Sequence, residues 1–160
     1  MTEAIVALGT NIGNRKENLY NAIKSINLVP STTVCDVSKF YETLPFEVPD
    51  VQNNYMNCCI KVLTELSANA LLGVCLGIEA SMGRIRKFRF SSRIIDIDLL
   101  LYKNLKINTN ELILPHPRIK ERAFVMYPLR DICPKKSFYD FNFAEEFEKI
   151  DKSEIKSIFS

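Results

Sequence analysis

Two carboxylates on one predicted strand are the residues most able to carry chemistry. Asp96 and Asp98 alternate with apolar residues in the run 94–102. Alternate side chains of a strand share a face, so the carboxylates lie about 7 Å apart and repel by ~2 kcal/mol at an effective dielectric constant of about 20. A divalent cation between them would remove this repulsion, and magnesium prefers carboxylate ligands. We favour this metal site over the alternative, a solvent-exposed edge.

A basic segment directly precedes these carboxylates. Residues 84–93 read Arg-Ile-Arg-Lys-Phe-Arg-Phe-Ser-Ser-Arg, and five of the ten are basic. Arginine matches phosphate oxygens in bidentate geometry. Basic residues beside a carboxylate pair fit a magnesium–polyphosphate complex, in which carboxylates hold the metal and arginines hold the oxygens. A solvated loop, or a nucleic-acid patch with interleaved phenylalanines, is the alternative interpretation.

Two further segments indicate a ligand pocket. Tyr55 and Asn57 alternate on a predicted strand, so a ring and an amide share a face, which suits a flat heterocycle with donor and acceptor edges. Ordinary sheet packing fits this pair equally well. His116, the only histidine, stands between Pro115 and Pro117. A lone histidine is more often structural, but its place in this loop favours contact with a ligand such as phosphate.

The elements that must position these residues follow from hydrophobic periodicity. The order to residue 102 is β-α-β-β-α-β, which predicts a ferredoxin-like α+β fold with an antiparallel sheet, helices packed on one face, and C-terminal additions. The predicted strands are 3–9, 32–42, 54–64 and 94–102, and the predicted helices are 15–28 and 68–82. A strand pair within 105–114, a helix near 122–131 and an amphipathic tail from 141 follow. The tail would cap the core or contact another chain, and the open face of the sheet would take the ligand.

Composition restricts the class of protein. The chain has 160 residues, which predicts a single domain spanning 1–160. A net charge of +2 argues against bulk attraction to nucleic acid or to an anionic membrane. Five cysteines without a Cys-x-x-Cys motif indicate buried, reduced thiols rather than a zinc site or a disulfide framework. Without a signal peptide or a membrane-spanning stretch, the expected location is cytoplasmic.

Several motifs together resemble the 6-hydroxymethyl-7,8-dihydropterin pyrophosphokinase family. The strongest is Arg-Phe-Ser-Ser-Arg-Ile-Ile-Asp-Ile-Asp-Leu-Leu at 89–100, and the others, in the family's order, lie at 7–13, 41–46, 54–57, 78–86 and 114–124. They cover nearly the whole chain. The resemblance implies a ferredoxin-like enzyme of folate biosynthesis that transfers the terminal pyrophosphate of ATP to the hydroxymethyl group of the pterin and releases AMP.

The resemblance also implies site residues. Asp96 and Asp98 would hold two Mg²⁺ ions, and Arg84 and Arg93 would neutralise charge that develops during transfer. The residues implied to bind ATP are Glu79, Arg84, Arg86, Phe90, Arg93, His116 and Arg122. The residues implied to bind the pterin are Thr43, Leu44, Phe46, Tyr55, Asn57, Asp96 and Phe124. The rings of Tyr55 and Phe124 would sandwich the pterin, and Asn57 would read its edge.

The expected partners are ATP and the pterin, with neither nucleic acid nor membrane, in a monomer or, alternatively, a dimer. Three segments are expected to close over the site, 10–14, 43–53 and 84–92. The chain departs from the family pattern at Phe90, where Trp is common, at Ser91, where Gly or Ala is common, at Leu76, where a polar residue is frequent, and in a loop at 87–89 that is one residue shorter.

Two other function classes compete with the enzyme. A single-stranded nucleic-acid module also uses a ferredoxin-like sheet, but the two carboxylates would repel a phosphate backbone. A regulatory domain that binds a small molecule would need neither the carboxylates nor the arginines. Fold alone does not separate the three.

Overall fold

The chain forms an antiparallel sheet with helices, as the hydrophobic pattern predicts. This computed structural model describes residues 1–45, 53–83 and 94–160. Up to residue 102 its elements are β1 Thr2–Thr10, α1 Arg15–Asn27, β2 Thr32–Val37, β3 Phe40–Thr43, β4 Tyr55–Thr64, α2 Ala68–Ser81 and β5 Asp96–Tyr102. The later elements are β6 Ile107–Asn108, β7 Ile113–Leu114, a 3₁₀ turn Ile119–Glu121, α3 Ala123–Ile132, β8 Ser137–Phe138, β9 Phe141–Asn142, α4 Ala144–Lys149 and β10 Ile155–Phe159.

The main sheet runs in the order β10-β3-β4-β1-β5, and every neighbouring pair is antiparallel. Strand β2 pairs with the second half of β4, beyond the part that pairs with β3. The strand predicted over 32–42 is therefore two strands. The ladder is interrupted at Ser38, whose N–H donates to the Cys59 carbonyl at 2.9 Å and whose Oγ accepts from the Cys59 N–H at 2.9 Å. The Ser38 hydroxyl and backbone N–H together thus satisfy both backbone groups of Cys59 where the strand breaks.

Helices α1 and α2 cover one face of the sheet. Asn14 and Ser67 cap them through side-chain oxygens that accept from the N–H groups of Glu17 and Ala70, both at 3.1 Å. The core beneath them includes Leu19, Ile26, Leu71, Cys75, Val6, Ile60 and Leu99. Burial of these side chains stabilises each by about 1.5–3 kcal/mol relative to exposure.

The other face is only partly open, which corrects the expectation of a free sheet face. Residues Ile5, Cys59 and Leu100 point to this side and form a second core with Met126 and Leu129 of α3. The strands present apolar side chains on both faces at this point, so the second face needs cover of its own. Helix α3 supplies it, and the polar ends of the strands lie beyond the helix.

The five cysteines are free thiols, and four of them are buried as predicted. Cys58, Cys59, Cys75 and Cys133 are buried free thiols, and burial raises the pKa of each. Cys35 is also free but exposed, so the expectation that all five are buried is wrong there. Among the residues described, no helix combines the length and apolar character needed to cross a bilayer.

A partly buried hydrogen bond fixes α3 along β3. Tyr41 Oη donates to Asp131 Oδ2 at 2.8 Å, and the same oxygen accepts from the Lys39 N–H at 3.1 Å. Burial and this hydrogen bond raise the pKa of the Tyr41 phenol. We expect Tyr41→Phe to lower the free energy of unfolding by about 2 kcal/mol, since the Asp131 carboxylate loses a donor.

Urea unfolding of the purified protein measures this loss. The matched control is Tyr139→Phe, because Tyr139 also donates to a carboxylate, Glu3 Oε1 at 2.6 Å, but is 48% exposed. We expect the control to change the free energy by less than about 0.5 kcal/mol. Equal losses in the two variants would contradict the assignment of Tyr41 and Asp131 as the contact that fixes α3.

Candidate active site

A glycine in β1 separates the predicted metal ligand from the predicted pterin-reading amide. Gly9 pairs with Asp96 of β5 on one side and with Asn57 of β4 on the other. The neighbouring residues in each strand, Leu8, Ile97 and Met56, point into the helix-covered core. Asp96, Gly9 and Asn57 therefore face the opposite side of the sheet. We call Asp96, Gly9 and Asn57 the polar row. Two strand spacings put the outer Cα atoms about 10 Å apart.

The missing side chain of Gly9 leaves room that the Asn57 amide uses. A Cβ atom on Gly9 would lie 2.5 Å from Asn57 Oδ1 and 3.9 Å from Tyr55 Cδ1. Asn57 Nδ2 donates to Thr43 Oγ1 at 2.8 Å, which fixes the amide in its plane. Three residues predicted for the pterin site, Thr43, Tyr55 and Asn57, are thus brought together around one gap.

Strand β5 carries both carboxylates on that same face. Asp96 and Asp98 are half-buried, and Ile97 between them is buried in the core under α2. Buried Glu79 of α2 accepts a hydrogen bond from the Ile97 N–H at 2.7 Å. Glu79, predicted to lie near ATP, therefore contacts the backbone of the strand that presents the carboxylates, and its contact with ATP stays a prediction.

The chemistry of the donor set is compatible with Mg²⁺. Within 1–45, 53–83 and 94–160, no group of three or more His, Cys, Asp or Glu side chains is arranged to hold a metal ion. A site built on Asp96 and Asp98 would therefore leave most coordination positions to phosphate oxygens and water. That is the usual arrangement for Mg²⁺ in nucleotide sites, which use one or two carboxylates together with substrate phosphates.

His116 lies in a loop entered through a cis Leu114–Pro115 bond. The backbone N–H of His116 donates to the Leu100 carbonyl at 2.9 Å, and its ring Nδ1 accepts from the backbone N–H of Arg118 at 3.3 Å. Burial, followed by the nearby charge of Arg122, lowers the pKa of the imidazole, and Asp96 opposes this effect. His116 is thus neutral at pH 7 with its proton on Nε2, which leaves that atom as a donor suited to a phosphate oxygen. His116, Arg122 and Asp96 are therefore electrostatic neighbours, and their contacts with ATP and metal stay predictions.

Two further predicted binding residues, Arg122 and Phe124, lie at the start of α3. Arg122 precedes the helix, and its guanidinium carbon lies 5.5 Å from the centre of the Phe124 ring. The Phe124 N–H donates to Glu154 Oε1 at 3.2 Å, and the Leu44 N–H donates to the Glu154 carbonyl at 3.0 Å. The Leu44 amide, predicted to line the pterin pocket through its backbone, is therefore engaged with the C-terminal tail.

Helix α1 and the turn before it anchor neighbouring segments. Thr10 Oγ1 donates to the Ile94 carbonyl and accepts from Asn18 Nδ2 at 3.2 Å. Arg15 forms an ion pair with Glu42 at 2.6 Å and donates to the Asn54 carbonyl at 2.9 Å. These contacts join the end of β1 and the start of α1 to residues that border 43–53 and 84–92, the other two segments predicted to close.

Five predicted site residues lie outside the described ranges: Phe46, Arg84, Arg86, Phe90 and Arg93. Sequence reasoning missed Gly9 as the floor of the pocket, and also missed Arg15 and Glu154. A glycine inside an apolar strand is a signal for close approach of another group, so Gly9 was detectable. No local pattern marks Arg15 or Glu154, because their partners are distant in the chain.

Comparison with known proteins identifies the family of the chain. Residues 5–134 match the family model described as 7,8-dihydro-6-hydroxymethylpterin-pyrophosphokinase. The chain is 37% identical over 158 residues to the 2-amino-4-hydroxy-6-hydroxymethyldihydropteridine pyrophosphokinase of Methylorubrum extorquens, covering 99% of each chain. It is 40% identical over 130 residues to the Bacillus subtilis enzyme of the same name, covering 81% of this chain and 77% of that one.

Solved structures share the fold. The Plasmodium falciparum HPPK-DHPS wild type with pteroate has a TM-score of 0.73 at 14% identity and covers 92% of this chain. The match spans 42% of that longer chain, so the chain is less than half its length. With a family model that covers most of its residues and a relative matched over almost its full length, this chain belongs to the 7,8-dihydro-6-hydroxymethylpterin-pyrophosphokinase family.

Proposed function

We propose that the chain transfers the terminal pyrophosphate of ATP to the hydroxymethyl group of 6-hydroxymethyl-7,8-dihydropterin and releases AMP, as a step of folate biosynthesis. Its relatives carry the name of this pyrophosphokinase, and the family assignment makes the chain an ATP-dependent diphosphotransferase. The observation that carries the proposal is the polar row, because it sets a carboxylate and a heterocycle-reading amide on opposite sides of a gap.

The pterin side of this proposal rests on the residues around Gly9. Asn57, oriented by Thr43, would pair with the edge of the pterin, and Tyr55 and Phe124 would stack on its two faces. Leu44 and Phe46 would complete the wall. Stacking between aromatic rings suits a flat heterocycle, and a fixed amide gives it one orientation.

The proposed binding of ATP phosphates depends on charged side chains and on His116. Asp96 and Asp98 would hold Mg²⁺, which acidifies a bound hydroxyl and neutralises phosphate charge when present. His116 Nε2 and the Arg122 guanidinium would hold ATP phosphates, together with Arg84, Arg86 and Arg93, and Phe90 and Glu79 would contact the nucleotide. Phosphoryl transfer depends mainly on positioning and electrostatic stabilisation, so no covalent nucleophile of the protein is required.

The finer architecture is part of the same proposal. The order of elements and the antiparallel sheet support a ferredoxin-like core within one domain over 1–160. We also propose a cytoplasmic monomer that binds ATP and the pterin. Size-exclusion chromatography with light scattering distinguishes the monomer from a dimer.

Product analysis tests the function. Purified protein, ATP, Mg²⁺ and 6-hydroxymethyl-7,8-dihydropterin are expected to yield AMP only when the pterin is present, whereas ADP would contradict the reaction. Asp96→Asn and Asp98→Asn are each expected to lower turnover on the order of 100-fold without loss of folded structure, because the carboxylate charge is removed at constant shape. Asp36→Asn is the control, since Asp36 is exposed on β2 of the same sheet. Full activity in both active-site variants would refute the metal assignment.

His116 offers a test of the phosphate side. His116→Asn keeps an oxygen that accepts from the Arg118 N–H but loses the Nε2 donor, so we expect KM for ATP to rise about tenfold while KM for the pterin stays constant. His116→Gln, whose longer amide reaches further, is expected to recover part of the loss. An unchanged KM for ATP in His116→Asn would remove His116 from the nucleotide site.

Gly9 offers a test of the pterin side. Gly9→Ala is expected to raise KM for the pterin about tenfold, because the new Cβ would displace the Asn57 amide that Thr43 orients. Gly77→Ala is the control, since a Cβ there has no neighbour within 4 Å. Initial rates at saturating ATP measure both variants. If Gly9→Ala bound the pterin normally, the polar row would not be the pterin floor.

A further inference from the structure

The C-terminal strand adds a supporting layer beside the pterin wall. Strand β10 pairs with β3 at the edge of the main sheet, and Ile155 lies opposite Thr43. The preceding carbonyl, of Glu154, accepts from the Leu44 N–H at 3.0 Å. Thr43, the last residue of β3, and Leu44, which follows it, are thus held from outside by the tail. Glu154 lies beyond residues 5–134, which match the family model.

The side chain of Glu154 contacts the start of α3, on the Phe124 side of the candidate pocket. Its Oε1 accepts from the Phe124 N–H at 3.2 Å in the first turn of α3. Arg122, which stands at the cap position of this helix, makes no side-chain capping hydrogen bond. A carboxylate at a helix N-terminus satisfies otherwise unpaired N–H groups and interacts favourably with the helix dipole. Glu154 therefore provides the cap from a distant part of the chain.

Glu154 is also half-buried, which makes the contact specific. Burial raises the pKa of its carboxyl, while hydrogen bonds from the Phe124 and Ala123 N–H groups and the nearby Arg122 charge favour the ionised form. A half-buried carboxylate with backbone donors keeps one orientation, unlike an exposed glutamate. Its backbone carbonyl and its side chain then fix Leu44 and Phe124 relative to each other.

We infer that Glu154 is a positioning residue for the pterin pocket, which sets the separation between the Leu44 wall and the Phe124 ring. This inference rests on the proposed function, in which the pterin lies between those elements. Glu154 itself does not touch the reacting atoms. A ring can stack on a flat ligand only at a narrow range of distances, so a shift of α3 would weaken pterin binding before it affects the transfer step.

The alternative is that Glu154 stabilises the fold without shaping the pocket. In that case Glu154→Ala would lower the melting temperature and leave substrate affinity unchanged. If Glu154 instead positions the pocket, KM for the pterin is expected to change more than kcat or KM for ATP. Glu154→Gln separates the hydrogen bond from the charge, since its amide oxygen still accepts from the Phe124 N–H.

The experiment compares the full-length protein with Glu154→Ala, Glu154→Gln and the control Glu145→Ala. Glu145 is a glutamate of α4 whose side chain is 73% exposed and pairs with Lys149 at 2.9 Å, so it matches the charge change away from the pocket. We expect Glu154→Ala to raise KM for 6-hydroxymethyl-7,8-dihydropterin about tenfold. We expect Glu154→Gln to raise it less than about threefold, and Glu145→Ala not to change it.

Three results would overturn the inference: an unchanged pterin KM in Glu154→Ala, an equal loss in Glu154→Gln, or an equal loss in Glu145→Ala. A second readout is independent of activity. The backbone amide signals of Leu44 and Phe124 in NMR spectra are expected to shift in Glu154→Ala and to stay in place in Glu145→Ala. If the wild type formed no AMP, the proposed function would fail, whereas unshifted amides would refute the contact made by Glu154.

Discussion

The pairing of β1 with both β4 and β5 is the constraint on which the site depends. It places Gly9 directly between Asn57 and Asp96, and a shift of one residue in either register would turn one of these side chains into the helix-covered core. The register is strongly determined, because the alternate residues of all three strands are apolar and buried on the helix side. Core packing on one face thus fixes the chemistry of the other.

The second face divides into an apolar part and a polar part. Over Ile5, Cys59 and Leu100 the sheet is covered by α3, since exposed apolar area on this face would be unfavourable. Beyond the start of the helix, the same face carries Asn57, which is already buried against Thr43, and half-buried Asp96, which a packed helix would have to desolvate at a cost of several kcal/mol if unpaired. The start of α3 is therefore where a polar pocket has to begin, and Arg122 and Phe124 stand at that start.

Sequence patterns predicted what depends on local periodicity, and missed what depends on distant contacts. The two long helices and the strand of Asp96 follow from caps and apolar spacing, and the structure confirms them. The break at Ser38 was missed, because a hydroxyl that replaces ladder hydrogen bonds leaves the alternation of side chains intact. Strand β10 was missed for a different reason: its five residues have no partner within the tail, and the strand forms only against β3. Of the site, the residue types were predictable, whereas the gap at Gly9 and the support from Glu154 needed the fold.

Helix α1 and the end of β1 contact the chain just before both strands of the candidate site. Arg15 holds the Asn54 carbonyl at the entrance to β4, and the Thr10 hydroxyl, supported by Asn18, holds the Ile94 carbonyl at the entrance to β5. The strand that carries Asn57 and the strand that carries the two carboxylates are thus each anchored, just before they begin, to residues within 10–18. In-line transfer between two bound substrates tolerates little error in their relative placement. A common anchor limits that error more effectively than separate supports would, because a movement of α1 carries both strand entrances together.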